Sequence, residues 1–316
     1  MDRRRVAVIV AVISAFAVTL IILTLLGGGG GGSGSKTSAS GQQGGADNGV
    51  TVSGKFGERP TLTIPASNPP SQLSAKVLSA GSGPAVQTGQ TVVANYLGET
   101  WDPKNGQPNV FDSSYDRQIP EGFPIGTGRV IEGWDRTLVG QHVGSRVLLT
   151  IPPALAYGTS TSAAGGNDLA GHTLVFVVDI LDALNVDVAA TGASVASLPT
   201  GLPRVTSEPG KRPAIVSVKG VKPVNKTLSA VLVKGTGPAI DPSKSLAMEI
   251  LQTDIATGKQ TQQTWGSGVT ILPAAQVLGV VTALTGQNVG SRAVAVTPAR
   301  GTTPGVILVV DVIAQY

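Results

Sequence analysis

An internal duplication is the feature that most constrains this chain, because two copies of one pattern are expected to fold in the same way. We align residues 123–146 with residues 269–292 without a gap, and both segments end in Gly-Ser-Arg. Four further segments of the first copy recur in the second: 56–65 at 209–218, 73–86 at 228–240, 143–153 at 289–299, and 173–181 at 305–313. An offset of about 150 residues is long enough for each copy to form a domain of its own.

Both copies carry the pattern of an antiparallel sheet with one short helix. Residues 91–98, 146–151 and 173–181 are short runs rich in β-branched residues, as expected of strands. Trp134 and Leu138 lie one helical turn apart and predict a short helix between two of these strands. The 42 glycines and 21 prolines favour a β-rich, turn-rich chain. We therefore predict an α+β fold with two domains, each an antiparallel β-sheet wrapped on a short helix.

The N-terminus has the pattern of a membrane anchor. A basic tail at residues 1–5 precedes an uncharged apolar run at residues 6–26. As a transmembrane helix this run would be roughly 30 Å long, which is enough to cross the hydrocarbon core. The arginines of the tail would keep the N-terminus in the cytoplasm. A signal peptide that is cleaved to give a secreted protein is the alternative, although its apolar region is usually shorter.

These segments define the predicted domain organisation. Residues 27–49 are rich in glycine and serine and are predicted to be a flexible linker. The first copy then occupies residues 50–184, a second linker residues 185–201, and the second copy residues 202–316. The protein is expected in the cell membrane as a single-pass protein, with both domains outside the cytoplasm.

Composition excludes several classes of function. The chain has no cysteine, which excludes disulfides, thiol catalysis and cysteine-bound metals. His142 and His172 lie in unrelated contexts without a second ligand at metal spacing, so we predict no metal site. No basic run is interleaved with aromatic residues, which argues against binding of nucleic acid.

Residues 73–184 of the first copy contain a specific set of residues, in chain order Tyr96, Phe111, Asp112, Arg117, the run from Phe123 to Asp135, Tyr157 and Phe176. In order and spacing this set resembles the FKBP family of peptidyl-prolyl cis-trans isomerases. Two segments depart from the family pattern. Residues 97–110 form a longer turn that carries Trp101, and residues 158–172 lack the usual apolar cluster, with Leu169 as its nearest substitute.

The resemblance implies a pocket for a prolyl ring between the sheet and the helix. The residues implied to bind the substrate are Tyr96, Phe111, Phe123, Val130, Leu169 and Phe176. The residues implied to be catalytic are Asp112, Ile131, Trp134 and Tyr157. Trp134 would form the floor of the pocket, and the Ile131 N–H and the Tyr157 hydroxyl would bind substrate carbonyls. Asp112 would lie beside the twisting carbonyl.

The resemblance also implies an enzyme that assists the folding of extracytoplasmic proteins and needs no cofactor. Its expected partners are proline-containing polypeptides outside the membrane, and macrolide-type inhibitors are a candidate ligand class. A non-catalytic chaperone or a binding module for proline-containing segments is the alternative function.

The second copy shares the frame of the first and loses its pocket residues. The alignment places Ile250 at the position of Tyr96, Trp265 at that of Phe111, Gly266 at that of Asp112, Val269 at that of Phe123, Val280 at that of Trp134, and Leu308 at that of Phe176. The position of Tyr157 falls in a shortened loop and is lost. Because aliphatic residues can still fill a core, we predict a folded domain without isomerase activity.

Overall fold

The computed structural model describes residues 48–159, 169–299, 301 and 304–316. The predicted basic tail, the predicted transmembrane helix at residues 6–26 and nearly all of the predicted linker at residues 27–49 lie outside these ranges. Among the helices within them, none has the length and apolar character needed to cross a membrane.

The first copy forms one antiparallel sheet, a hairpin in front of it and two short helices. Its strands are β1 (Thr51–Ser53), β2 (Thr61–Thr63), β3 (Ser74–Ser79), β4 (Thr91–Lys104), β5 (Gln107–Ser113), β6 (Glu121–Pro124), β7 (Arg146–Ile151) and β8 (Leu174–Leu184). Its helices are α1 (Ser114–Arg117), α2 (Glu132–Leu138) and a 3-10 turn at Pro153–Leu155. The strand order is β3-β7-β8-β4-β5, and β6 pairs with the other part of β4. Hairpin β1–β2 packs on one face of this sheet and α2 on the other.

The second copy repeats this arrangement. Its strands, together with β9 from the preceding segment, are β9 (Gly192–Ser194), β10 (Arg204–Thr206), β11 (Ala214–Ser217), β12 (Leu228–Gly235), β13 (Ser245–Asp254), β14 (Gln260–Gln263), β15 (Thr270–Pro273), β16 (Arg292–Val296) and β17 (Val306–Gln315). Helix α3 (Ala274–Val280) and a 3-10 turn at Thr282–Leu284 follow β15. The strand order is β14-β13-β17-β16-β12-β9, and β15 pairs with β13. The predicted antiparallel sheets with few helices are confirmed.

A buried ion pair explains why both copies keep the arginine of Gly-Ser-Arg. In the first copy Arg146 donates from Nε to Asp179 at 2.6 Å and from Nη2 at 2.8 Å, and both side chains are almost fully buried. Arg146 also donates to the Gly54 and Glu58 carbonyls of the preceding hairpin. A buried charge is tolerated only when it is paired and hydrogen-bonded. The pair therefore joins β7, β8 and the hairpin.

The second copy builds the same pair with Arg292 and Asp311, at 2.6 and 2.7 Å. Here the guanidinium donates to the Glu208 and Lys211 carbonyls of hairpin β10–β11. Because this interaction needs no contact with a pocket, it can persist in a domain that has lost one.

The glycine and the serine of the motif have backbone roles. Gly144 adopts φ +91°, and a side chain there would lie 3.3 Å from the Gly81 Cα. Ser145 Oγ accepts a hydrogen bond from the Gly81 N–H at 2.9 Å. Ser291 and Gly235 repeat this bond at 2.9 Å. Glycine adopts the positive φ of Gly144 without the steric cost that other residues would have.

The ungapped alignment of residues 123–146 with residues 269–292 is wrong at its start. Phe123 of β6 pairs with Val92, which lies four residues before Tyr96. In the second copy Leu272 pairs with Leu246, four residues before Ile250. Leu272, and not Val269, therefore occupies the position of Phe123.

The counterpart of Phe123 shifts from Val269 to Leu272 because the loop between the last short strand and the helix is shorter in the second copy, and part of it is helical there. In the first copy eight residues separate Phe123 from α2, and Gly126 and Gly128 adopt φ of +75° and +72° within them. In the second copy α3 begins two residues after Leu272. Only Pro273 stands between Leu272 and α3, and the helix begins with two alanines, which favour the helical conformation.

The predicted counterparts of Phe111 and Asp112 are also wrong. The Tyr96 N–H donates to Ser114 Oγ at 2.8 Å, and the Ile250 N–H donates to Thr264 Oγ1 at the same distance. Ser114 and Thr264 are therefore equivalent. It follows that Trp265 corresponds to Tyr115 and that Gln262 stands at the position of Asp112.

Glu249 is a fully buried carboxyl group in the core of the second copy. It lies on β13 opposite Asp311, and Thr264 donates its hydroxyl hydrogen to Oε2. Oε1 has no partner in the part of the chain that the structure describes. Burial is the main cause that raises the pKa of Glu249 from its ordinary value of 4.5 to about 8. The folded state therefore favours the neutral form of this group.

We expect Glu249→Gln to change the pH dependence of stability. Since the folded-state pKa exceeds the unfolded one, stability from this group is present below pH 4.5 and is lost as the pH rises through about 8. The variant should be more stable than the wild type at pH 9 by about 1–3 kcal/mol, and the advantage should fall towards zero at pH 4.5. Urea unfolding at both pH values measures this difference. The exposed Glu208→Gln serves as the control, and an equal effect of Glu249→Gln at both pH values would contradict the expectation.

Candidate active site

Five aromatic rings from five elements meet between the first sheet and α2. Trp134 of α2 lies at the centre, with ring centroids 4.7 Å from Phe123, 5.2 Å from Phe176 and 5.7 Å from Tyr96. Phe111 contacts Phe176 at 5.5 Å. All of these pairs are edge-to-face, the arrangement that the ring quadrupoles favour.

Two glycines allow the rings to approach. A Cβ at Gly98 would lie 2.6 Å from Phe111 Cζ and 2.8 Å from Phe176 Cε1, so only glycine leaves room for both rings above β4. A Cβ at Gly133 would lie 2.5 Å from Ile151 Cγ2. Gly133 therefore brings α2 close to β7, which places the next residue, Trp134, beneath the other rings.

The cluster is dry at its floor and open towards its rim. Tyr96, Trp134 and Phe176 are each 4% exposed. The partly buried residues that pack around them include Phe111, Phe123, Val130, Ile131 and Leu169. The Trp134 indole N–H is buried and has no acceptor among the described residues.

Three charged side chains, Asp112, Arg117 and Glu121, border the aromatic cluster on one side. The Tyr96 hydroxyl donates to Asp112 and accepts from Arg117 Nη2 at 2.9 Å. Arg117 Nη1 also donates to Asp112. Glu121 Oε2 lies 3.0 Å from the Tyr96 oxygen, and Glu121 Oε1 lies 3.1 Å from Arg117. Asp112 is therefore held in place by both Tyr96 and Arg117.

The Tyr96 hydroxyl remains protonated. Burial, followed by the negative charges of Glu121 and Asp112, raises the pKa of Tyr96 well above its ordinary value. Two carboxyl groups share one guanidinium here, which leaves an excess of negative charge beside the aromatic cluster when both are ionised.

Two hydrogen-bond donors lie on other sides of the rim. Ile131 is the residue before α2, and its N–H has no acceptor in the described ranges. Tyr157 is 40% exposed, and burial together with the negative charge of Asp112 raises the pKa of its hydroxyl. Among the described residues neither donor has an acceptor, so both can donate to a ligand.

Asp135 fixes the loop that leads to Ile131. Its carboxylate accepts from the Gly126 N–H at 2.7 Å and from the Gly128 N–H at 2.6 Å. Both glycines have positive φ, so the loop has a defined conformation that one side chain holds in place.

The structure brings the predicted site residues together, and it adds two that the sequence reasoning missed. All ten predicted residues lie in or around the aromatic cluster: Tyr96, Phe111, Asp112, Phe123, Val130, Ile131, Trp134, Tyr157, Leu169 and Phe176. The missed residues are Glu121 and Asp135. Strand alternation could have indicated Glu121, which lies two residues before Phe123 and hence on the same face of β6. Trp101 is part of the core on the opposite face of the sheet.

The corresponding region of the second copy is filled. The space enclosed by Ile250, Leu272, Val280 and Leu308 with their neighbours is a cavity of about 10 Å³ without polar lining. This volume is at most that needed by one water molecule. The described residues of the second copy therefore leave no space for a ring at this position.

An apolar cluster that is partly exposed and has a few hydrogen-bonding groups at its edge is suited to binding a small apolar group. Comparisons with known proteins identify the class. A family model described as FKBP-type peptidyl-prolyl cis-trans isomerase matches residues 83–181. An FK506-binding protein of Streptomyces anulatus is 41% identical over 124 residues, which are 39% of this chain and 96% of the relative.

Two further comparisons cover a similar share of the chain. A probable FK506-binding protein of Corynebacterium glutamicum is 36% identical over 126 residues, which are 40% of this chain and 99% of the relative. The crystal structure of FkpA from Escherichia coli matches at 38% identity with a TM-score of 0.30, over 36% of this chain and 48% of that one. The chain belongs to the family of FKBP-type peptidyl-prolyl cis-trans isomerases and is an enzyme of that type.

We expect the excess negative charge at the rim to favour substrates with a basic residue next to proline. Glu121→Gln removes one carboxylate and should lower the ratio of kcat/KM for Lys-Pro over Glu-Pro peptides by about three- to tenfold, as expected of one nearby charge. Glu132→Gln is the control, because Glu132 is exposed and pairs with Arg136 on α2. An unchanged ratio in Glu121→Gln would contradict the prediction.

Proposed function

We propose that catalysis takes place in the aromatic pocket of the first copy, and that the substrates are X–Pro bonds of polypeptides outside the cytoplasm. The observation that carries the proposal is the apolar cluster of Tyr96, Phe123, Trp134 and Phe176. Its rim has two donors, the Ile131 N–H and the Tyr157 hydroxyl, without an acceptor among the described residues. Its equivalent in the second copy is filled by aliphatic side chains.

An apolar pocket suits this reaction. Resonance makes the peptide C–N bond stiff, with a rotational barrier of about 18–20 kcal/mol. The planar amide has more charge separation than the twisted one, and water solvates that charge better than hydrocarbon does. A dry pocket therefore binds the twisted amide better than the planar one, which is catalysis by preferential binding of the transition state. No nucleophile is required.

Polar groups at the rim would orient the peptide around the twisting bond. In the proposed complex the prolyl ring lies over Trp134. The Ile131 N–H and the Tyr157 hydroxyl donate hydrogen bonds to substrate carbonyls on either side of the ring. Asp112, held by Tyr96 and Arg117, lies beside the carbonyl that rotates and disfavours its planar, more charge-separated state.

The proposed location rests on the N-terminal sequence. Residues 6–26 are long and apolar enough to anchor the chain, and the arginines before them favour a cytoplasmic N-terminus. Proline-containing segments of proteins that fold outside the cytoplasm would then be the substrates. Membrane fractionation of cells that express the full chain, with protease added from outside, tests this. Recovery of both copies in a protease-resistant cytosolic fraction would contradict it.

The names of the relatives extend the proposal to inhibitors. Two relatives that are at least 36% identical are named for binding FK506. We infer that FK506 occupies the pocket of the first copy and competes with proline-containing peptides.

Trp134→Ala in the full chain is expected to lower kcat/KM for a proline peptide at least about tenfold, which is about 1.4 kcal/mol of transition-state binding. The loss of the indole floor opens the pocket to water, and the equivalent position among the described residues of the second copy is filled by aliphatic side chains. A protease-coupled assay or exchange NMR measures the rate. The conservative Trp134→Phe should retain more activity than Trp134→Ala.

Two outcomes would overturn the proposal. If Trp134→Ala kept the wild-type rate, catalysis would lie outside the first-copy pocket. If the wild-type rate equalled the uncatalysed rate, the chain would be a binding module or chaperone for proline-containing segments.

A further inference from the structure

The second copy packs directly against the wall of the pocket. A small apolar cluster joins the two copies, with Val93 of β4 against Val269 and Ala247 of the second copy, all almost fully buried. Strand β15 of the second copy lies against β6 of the first. Strand β6 carries Phe123 and Glu121, which border the pocket.

Backbone contacts at this junction leave no spare room. A Cβ at Gly122 would lie 3.2 Å from the Val269 carbonyl oxygen, so a side chain there would push the two copies apart by a few tenths of an ångström. Gly268 has φ +109°, and a Cβ there would lie 2.9 Å from Thr91 Oγ1 and 3.1 Å from Pro124 Cγ. A displacement of residues 267–269 would therefore be transmitted to both ends of β6.

A hydrogen bond extends the junction to the loop after β6. Arg129 Nη1 donates to the Ser267 carbonyl at 3.2 Å. Arg129 lies between Gly128, which Asp135 holds, and Val130 and Ile131 of the pocket. The loop is thus held by Asp135 from the first copy and by Ser267 from the second.

The segment that makes these contacts is itself firmly held. The Ser267 and Gly268 N–H groups both donate to the Thr264 carbonyl, and the Gly266 N–H donates to the Val186 carbonyl at 2.9 Å. Trp265 Nε1 donates to the Val188 carbonyl at 3.0 Å. The segment therefore forms a tight turn that is anchored to the chain between the two copies.

We propose that residues 267–269 of the second copy are a positioning element for the isomerase site of the first copy. They hold β6 and the loop at residues 124–131, and so they fix Phe123 and the Ile131 N–H relative to Trp134. The second copy thereby contributes to catalysis although its own equivalent of the site is filled. This inference rests on the proposed catalytic role of the first-copy pocket.

The test compares Gly268→Ala with Gly266→Ala in the full chain. Both glycines have positive φ, so both substitutions introduce left-handed backbone strain. A Cβ at Gly266 meets nothing within 4 Å, whereas a Cβ at Gly268 meets Thr91 and Pro124. Gly268→Ala should lower kcat/KM about three- to tenfold, mainly through a higher KM. Gly266→Ala should keep the wild-type value at a temperature where both variants are folded.

A second pair of variants avoids the backbone. Arg129→Gln shortens the donor to Ser267 and should raise KM about two- to fivefold. Arg129→Lys keeps a long cationic donor and should restore most of the loss. A merely structural role would change the unfolding midpoint and leave KM unchanged, so thermal unfolding is recorded for every variant.

The outcomes separate this inference from the proposed function. If Trp134→Ala is inactive while Gly268→Ala matches Gly266→Ala and Arg129→Gln matches the wild type, the positioning role is refuted and the pocket assignment stands. If Trp134→Ala retains full activity, the pocket assignment fails. A raised KM in Gly268→Ala and in Arg129→Gln, with rescue by Arg129→Lys, supports the positioning role.

Discussion

The buried ion pair between Arg146 and Asp179 is the interaction on which the first domain depends. It joins the two central strands β7 and β8 to the hairpin in front of the sheet. Asp179 Oδ2 also accepts from the Tyr115 hydroxyl at 2.7 Å. Tyr115 belongs to α1, which follows Asp112 and ends at Arg117. The same pair thus supports the sheet and the segment that presents charge to the pocket. Since an unpaired charge here would cost several kcal/mol, neither partner can change alone.

The second copy separates the requirements of the fold from those of the site. It keeps the ion pair as Arg292 and Asp311 and keeps the serine bond of the same motif. It loses the glycine loop before the helix, and α3 starts almost directly after β15. Aliphatic side chains then fill the space where the first copy has aromatic rings. The second copy still has a surface that packs against β6 of the first copy.

Much of this could be predicted from the sequence, for identifiable reasons. The strands of both copies follow from β-branched runs, and the pocket residues from a resemblance with specific order and spacing. The shortened loop could not be predicted. Val269, Ile271 and Leu272 are all apolar, so each is an equally acceptable counterpart of Phe123 in a sequence alignment. Glu249 and the contact between Gly268 and Pro124 depend on how strands pair and how the copies meet. The periodicity of the sequence contains no information on strand pairing or on the contact between the two copies.

The indole N–H resonances test the central claim most directly, because the chain has three tryptophans in three environments. Trp101 donates to the Ser67 carbonyl and Trp265 to the Val188 carbonyl, whereas Trp134 lies in the pocket with no acceptor among the described residues. A proline peptide titrated into the full chain, followed by two-dimensional NMR, should shift the Trp134 indole signal saturably, together with accelerated cis-trans exchange of the peptide. The Trp101 and Trp265 signals should stay in place. A shift of Trp265 with Trp134 unchanged would contradict the account, since binding would then take place in the second copy.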